Sequence, residues 1–184
     1  MILFLKNRLF LGCLVAAAWV GTLTVQGQNV HVDLGGNTIT VSPGGKNVSS
    51  LVLMLTADPE IKITEVTSDI EFSSRHVSFF KGSARIEGDR WEARVAPNPE
   101  DEYKSRLLVT LSAMPGHWLS SGVIAELEFK ISASIPDGLL EFPVSSSVFL
   151  EDSSSPLENV AGDSGLIAVS STAPVIIACF FYMH

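Results

Sequence analysis

The chain has 184 residues and carries 12 Lys and Arg against 20 Asp and Glu, a formal net charge of −8 at pH 7. Such acidity disfavours nucleic acids and anionic membrane surfaces as partners. Residues 28–170 are numerous enough for one domain with an apolar core. They contain no cysteine, which excludes a disulfide framework.

The N-terminal segment, residues 1–27, has the layout of a secretory signal peptide. Lys6 and Arg8 precede an uncharged, mostly apolar run from Leu9 to Val25, and cleavage after Gly27 would follow small residues. The alternative is an uncleaved membrane anchor, because about 17 residues is the lower limit for a helix that spans a bilayer. We therefore expect an exported protein, secreted or held in the cell envelope, which contacts a membrane only if this segment is not cleaved.

Short alternating segments follow one another from residue 29 onwards. Turn residues such as Gly35-Gly36 and Asp58-Pro59 separate them. In chain order they are NVHVDL, NTITV, NVSSLVLML, IKITEV, HVSFF, ARIE, RWEARV, SRLLVTLSA, AELEFKISA, LLEFPV, SVFLE and GLIAV. Turn signals about every ten residues, with no amphipathic helix after the N-terminal segment, predict an all-β sandwich or barrel.

The clearest strand runs from Ala125 to Ala133, where apolar and polar residues alternate throughout. A period of two places the apolar side chains on one face and Glu126, Glu128 and Lys130 on the other. We expect this strand near the middle of one sheet, with its charged face towards water. The turn at 136–138, Pro-Asp-Gly, would then send the chain onward.

Two segments fall outside the strand pattern. Residues 96–105, APNPEDEYKS, are rich in proline and acid and predict a loop. Residues 171–184 form an apolar C-terminal tail that is too short to span a membrane. We expect this tail to be a frayed end or an extra edge strand; docking on a partner is the remaining alternative.

The sequence contains no motif for catalysis or metal binding. His31, His76 and His117 stand alone, and no HExxH, GxSxG, phosphate-loop or Rossmann glycine pattern occurs. The acidic residues at 100–102 lack the alternating oxygen-donor spacing of an EF-hand loop and indicate a solvated loop. We therefore predict a protein that is not an enzyme and uses no cofactor or metal.

The aromatic residues Trp118, Tyr103 and Trp91 are the candidate ligand-binding residues. Flat aromatic faces stack on sugar rings, and Trp118 and Tyr103 adjoin loops. Trp91 alternates with Ala93 and Val95, which favours a place in the core instead. A carbohydrate-binding surface requires Trp118 and Tyr103 to lie on one surface, with Trp91 as a third ring only if it is exposed there.

The order of the elements resembles that of cohesin domains over residues 29–169. VSPGGKNVSSLVLMLTADPEIKITEV is similar to their opening, in which a Pro-Gly turn leads into a strand and an Asp-Pro segment begins the next. RLLVTLSAMPGHWLSSGVIAELEFKISASIPDGLLEFPVSSSVFLED is similar to their later half, and AGDSGLIAV to their closing strand.

The resemblance implies a jelly-roll β-sandwich of about nine strands and a non-catalytic binding role. Cohesins bind dockerin modules through one sheet face, and related modules bind polysaccharide. The expected function is a protein–protein interaction module, with a dockerin-like or envelope protein as its partner. The alternative is a carbohydrate-binding module for polysaccharide. Either function would place the chain in the process of polysaccharide breakdown. Glu126, Glu128 and Lys130 form the charged face that suits a partner.

Overall fold

The computed structural model describes residues 29–43, 45–85 and 90–171. Within these ranges the chain forms twelve β-strands. No helix in the described ranges is long and apolar enough to cross a bilayer. The predicted signal peptide and the apolar tail from residue 172 onwards lie outside the described residues, so the domain boundaries stay a prediction.

The strands are joined by short connections, as the frequent turn residues predicted. In chain order they are β1 (Val30–Gly35), β2 (Asn37–Thr40), β3 (Val48–Ala57), β4 (Ile63–Ser73), β5 (Val77–Ala84), β6 (Arg90–Pro97), β7 (Lys104–Ser112), β8 (Gly122–Ile131), β9 (Gly138–Phe142), β10 (Val144–Leu150), β11 (Leu157–Val160) and β12 (Gly165–Ser170).

The strands form three sheets. A four-stranded sheet has the order β1-β3-β8-β5, and a five-stranded sheet has the order β11-β10-β4-β7-β6. A small third sheet, β2-β12-β9, contains the parallel pair β2 and β12, whereas the other ladders are antiparallel. The two large sheets bury their alternating apolar residues against each other, so the predicted all-β jelly-roll sandwich is confirmed.

Two strands of the sandwich are interrupted, which accounts for most of the difference between nine expected strands and twelve observed. Gly36 separates β1 from β2 where the chain passes from one sheet to another, and a Cβ there would lie 2.4 Å from the carbonyl oxygen of Leu166. Pro143 separates β9 from β10 and has no N–H for a ladder. The four-residue strand β11 is an addition that the sequence analysis missed.

The predicted strand around residues 125–133 is β8, an interior strand of the four-stranded sheet. Leu127 and Phe129 are buried, while Glu126 and Glu128 point outwards, as predicted. The prediction that the strand continues to Ala133 is wrong. It ends at Ile131, and the chain turns there, with the N–H of Ile135 donating to the carbonyl of Ser132 at 3.2 Å.

Phe129 is the side chain at which the three sheets meet. Its ring centroid lies 5.6 Å from that of Phe72 on β4, 5.8 Å from that of Phe79 on β5 and 5.0 Å from that of Phe142 on β9. Phe129 is 0% exposed. Tilted and edge-to-face ring pairs of this kind add to the free energy of burial, so this cluster fastens the sheets to one another.

We predict that Phe129→Ala lowers the free energy of unfolding by about 3–5 kcal/mol, because it removes a fully buried ring and leaves a cavity between three sheets. Urea denaturation followed by circular dichroism measures the change. Phe80→Ala is the matched control, since Phe80 lies on the same sheet but is 46% exposed, and its loss should cost under about 1 kcal/mol. Equal effects of the two substitutions would contradict this account of the core.

Two buried serines differ in their hydrogen bonding. The hydroxyl of Ser68 on β4 lies 2.8 Å from that of Ser146 on β10, and both residues are buried. The buried hydroxyl of Ser49 has no hydrogen-bond partner among the described residues. A buried hydroxyl without a partner bears the full cost of its desolvation.

We therefore predict that Ser→Ala changes the free energy of unfolding differently at these two positions. Ser68→Ala should lower the free energy of unfolding by about 1–3 kcal/mol, because it leaves the Ser146 hydroxyl buried and unpaired. Ser49→Ala should leave stability unchanged or raise it by up to about 1 kcal/mol. Thermal unfolding of both variants checks this, and a larger loss for Ser49→Ala than for Ser68→Ala would refute it.

Candidate partner-binding surface

The five-stranded sheet has an outer face on which no described strand packs. Its registers alternate core residues with outward residues on every strand, so the outward set forms a broad, flat surface. The outward side chains are Arg90, Glu92 and Arg94 on β6; Lys104, Arg106, Leu108, Thr110 and Ser112 on β7; Glu65, Thr67, Asp69 and Glu71 on β4; and Ser145, Ser147 and Phe149 on β10.

One end of this face is held together by ion pairs between β4 and β7. Arg106 pairs with Asp69, and its Nε lies 3.0 Å from Oδ1. Lys104 Nζ lies 2.5 Å from Glu71 Oε1, and Asn98 donates to the other oxygen of Glu71 at 2.6 Å. The hydrogen bond to Glu71 raises the pKa of Lys104. These groups are partly exposed, so they orient one another more than they stabilise the fold.

The β6 side of the same face carries charges without partners. Arg90, Glu92 and Arg94 are exposed and form no ion pair with another described residue. Leu108, opposite Arg94 on the neighbouring strand, is half-buried and apolar. Unpaired charges can form directional ion pairs with a protein partner, and the apolar side chain beside them offers surface that binding would bury.

The outer face of the four-stranded sheet carries the three charges that the sequence analysis singled out. Glu126 pairs with Arg85, and Glu128 pairs with Lys81 at 3.0 Å. Lys130 Nζ lies 4.1 Å from the centre of the Phe80 ring. Their outward orientation is confirmed, but each already has a neighbour on its own sheet. Their role in partner binding stays a prediction.

Trp118 and Tyr103 lie at opposite ends of β4. Leu119 bridges to Ile63, the first residue of β4, whereas the carbonyl of Tyr103 accepts from the N–H of Ser74 just beyond its last residue. Eleven residues of strand separate these points by about 30 Å. Both rings are exposed, Trp118 by 43% and Tyr103 by 47%, but they do not share a surface.

Trp91 is the inward-facing aromatic residue of the three. It packs on the core from β6, and its Cη2 atom would lie 2.5 Å from a Cβ at Gly82 on β5. The ring therefore closes the sandwich between the two edge strands, as the alternation with Ala93 and Val95 predicted. The structure does not bring the three aromatic residues together, and the ligand-binding role of each stays a prediction.

Trp118 belongs to a cluster at the loop end of the sandwich. Lys62 Nζ lies 4.4 Å from the indole centre and 2.8 Å from Glu151 Oε2. Two clefts of about 650 and 350 Å³ adjoin this cluster and share Ile61 and Lys62. Lys62 thus covers one face of the indole.

The pKa values of this cluster are shifted by its own contacts. The Lys62 ammonium holds the pKa of the Glu151 carboxyl below its ordinary value, and the Trp118 indole lowers it further. The same hydrogen bond raises the pKa of Lys62. Lys62 and Glu151 are therefore both charged across the neutral range.

The histidines lie apart, on β1 (His31), directly before β5 (His76) and in the loop after β7 (His117). No group of three or more His, Cys, Asp or Glu residues that could hold a metal ion occurs in the described part of the chain. In the predicted loop, which is confirmed between β6 and β7, Asp101 accepts the N–H of Tyr103 at 2.9 Å. That carboxylate therefore orders its own loop.

No protein-family model matches the chain, and no curated protein matches it either. Solved structures do. The third cohesin of ScaC from Acetivibrio cellulolyticus, in complex with the ScaB dockerin, superposes with a TM-score of 0.57 at 20% identity, over 76% of this chain and 98% of the cohesin. The chain has a cohesin-like fold.

Two further structures show how widely this cohesin-like fold is shared. A type I cohesin–dockerin complex from Clostridium thermocellum gives a TM-score of 0.58 at 11% identity, covering 77% of this chain and 99% of that chain. A non-cellulosomal cohesin from the archaeon Archaeoglobus fulgidus gives 0.56 at 11%, covering 77% and 91%. The predicted resemblance to cohesins is thus confirmed for the fold.

The charges that distinguish the five-stranded face from the four-stranded face were not predicted from the sequence. In RWEARV, alternation alone puts Arg90, Glu92 and Arg94 on one side, and this signal was available. Asp69 and Glu71 lie on the second half of β4, in SDIEFS, which the sequence analysis did not assign to a strand. A run with a serine and an acid at its start resembles a turn more than the middle of a long strand.

We predict a pH transition at the Lys62–Glu151 pair. The pKa of Glu151 in the folded protein is depressed below its ordinary value of 4.5. The stabilisation that the pair gives the folded state is therefore complete above pH 4.5 and is lost as the pH falls through the lower pKa of the folded protein. The indole N–H resonance of Trp118, followed by NMR from pH 7 to acid, should shift with a midpoint below 4.5. Glu151→Gln should abolish the shift; a midpoint above 4.5, or a transition that survives in the variant, would contradict the assignment.

Proposed function

We propose that the chain is a non-catalytic module that binds a protein partner through the outer face of its five-stranded sheet. The observation that carries the proposal is a set of exposed charges, Arg90, Glu92 and Arg94, which form no ion pair with another described residue. They lie beside the half-buried Leu108 on a face that no described strand covers. Solved structures of similar fold are complexes of cohesins with dockerins, which supports a protein as the partner.

The charge distribution favours this face over that of the four-stranded sheet. The acids of the four-stranded face are already paired with basic residues, Glu128 with Lys81 on β5 and Glu126 with Arg85 directly after it. Charges that are already paired within the chain leave fewer unmatched groups for a partner to complement. The β6 side of the five-stranded face has no such pairs to lose.

A dockerin-like module is the partner class that the structural neighbours suggest. The polysaccharide alternative requires a row of exposed aromatic rings. Trp118 and Tyr103 are instead about 30 Å apart along β4, and Trp91 is turned into the sandwich. A protein partner therefore has the stronger support.

We also propose that the module works outside the cytoplasm, secreted or in the cell envelope. The basic residues, apolar run and small residues of segment 1–27 support export. Edman sequencing of the protein recovered from its natural source tests this directly. A mature N-terminus near residue 28 is the expected result, and recovery of Met1 in the cytoplasmic fraction would overturn it.

The binding proposal is tested with a panel of immobilised dockerin modules and a set of soluble polysaccharides, by surface plasmon resonance. We expect at least one dockerin to bind, and Leu108→Glu to weaken that binding by about tenfold or more, because it places a buried charge at the centre of the interface. Val48→Glu is the matched control, an apolar residue on the outer face of the four-stranded sheet opposite Lys130, and should bind as the unaltered chain does.

The results test the binding face and the partner class separately. Loss of binding in Val48→Glu but not in Leu108→Glu would place the partner on the other sheet. Binding to polysaccharide with none to any dockerin would overturn the proposed partner class.

A further inference from the structure

The sandwich has several sheet edges, and β6 is the one that is both long and regular among the described strands. The edge at β1 is covered, since Val32 and Leu34 donate their N–H groups to the carbonyls of Ala161 and Asp163, both at 2.9 Å. β5 is interrupted by a register shift next to Phe80, and β11 has only four residues. β6 has eight residues and pairs with β7 alone.

The free side of β6 can be identified from its last hydrogen bond. Asn98 donates its N–H to the carbonyl of Lys104 at 3.2 Å, which continues the β6–β7 ladder by one pair. Bonded and non-bonded pairs alternate in an antiparallel ladder, so the even-numbered residues of β6 bond to β7. The N–H and C=O groups of Trp91, Ala93 and Val95 therefore point away from the sheet.

We propose that this edge pairs with the same edge of a second copy of the chain. An antiparallel pairing centred on Ala93 places Trp91 opposite Val95 of the partner subunit, and Val95 opposite the partner's Trp91. All three residues carry outward N–H and C=O groups, so about six backbone hydrogen bonds form across the two-fold axis.

Charge complementarity and the overlap of the two strands together favour this register. On the outer face, Glu92 lies opposite the partner's Arg94, and the symmetry repeats the pair. These are non-bonded positions of the ladder, where side chains are closest. A register centred on Val95 would put Pro97, which has no N–H, opposite a bonding residue and would form no charge pair. A register centred on Trp91 would also place Glu92 opposite an arginine, the partner's Arg90, but Val95 would then lie opposite a residue before the start of β6 (Arg90–Pro97). Only the register centred on Ala93 joins all three outward-bonding residues, Trp91, Ala93 and Val95.

Apolar exposure on the inner side supports the same pairing. Val95 lies on the inward-facing side of β6 and is the register partner of buried Leu107, yet it is 48% exposed. In this pairing Val95 lies directly opposite the partner's Trp91. An open edge with an exposed apolar residue is a template for association unless something covers it.

The dimer would join two five-stranded sheets into one continuous sheet. Its charge pairs would use Glu92 and Arg94, so Arg90 and Leu108 would remain on each outer face for a protein partner. This inference does not rest on the proposed function, because the edge pairing can form whatever the face binds. A contact of one strand pair is small for a protein interface, so we expect a weak dimer whose population depends on concentration.

Sedimentation equilibrium of the full chain over a range of concentrations, up to about 1 mM, tests the dimer. The unaltered chain should be in monomer–dimer equilibrium. Arg94→Glu and Glu92→Arg each place like charges opposite one another at both symmetry-related 92/94 pairs. Each substitution should therefore weaken dimerisation by about tenfold or more. The double variant E92R/R94E restores opposite charges and should dimerise as the unaltered chain does. Arg90→Glu, which lies opposite the partner's Ala96, is the matched control and should have little effect.

A backbone variant tests the edge itself. Ala93→Pro removes only an N–H that points to the partner and leaves the ladder to β7 intact, so the folded variant should be monomeric. Circular dichroism confirms that each variant is folded. A chain that is monomeric at every concentration overturns the proposal. So does a dimer that is unaffected by the single charge reversals, or one that the double variant fails to restore.

Discussion

The contact of Phe129 with Phe72, Phe79 and Phe142 is the interaction on which the rest of the structure depends. It joins the four-stranded, five-stranded and small sheets at one fully buried ring. The described residues contain no cysteine, so no covalent bond fastens the sheets. Apolar burial therefore holds the domain together, and the inner faces of both large sheets are committed to it.

Because the inner faces are occupied, recognition is left to the outer faces, the loop ends and the open edges. These surfaces differ in how far their charges are already paired. The four-stranded face pairs its acids internally, and Lys62 and Glu151 pair with each other beside Trp118. On the β6 side of the five-stranded sheet, exposed charges without a described ion-pair partner lie beside a backbone edge that no further described strand pairs with. This concentration of unpaired groups is why both the partner face and the edge contact are placed there.

The sequence predicted the fold well because burial follows local alternation. β8 was identified from its period alone, although it ends at Ile131, two residues before the predicted end, and the turn at 136–138 leads into β9. The short strand β11 was missed, because LENV has only two apolar residues and its place depends on pairing with β10. The candidate site was harder, because the Glu126–Arg85 pair and the separation of Trp118 from Tyr103 depend on which strands are neighbours. Strand order is a property of the whole chain, which no single segment encodes.

Amide hydrogen exchange by NMR tests most directly whether the three sheets form one unit fastened at Phe129. The account predicts that the slowest amides of β8 in the four-stranded sheet, β4 in the five-stranded sheet and β12 in the small sheet exchange with the same free energy, equal to that of global unfolding. Opening of one sheet at a clearly lower free energy than the other two would contradict it.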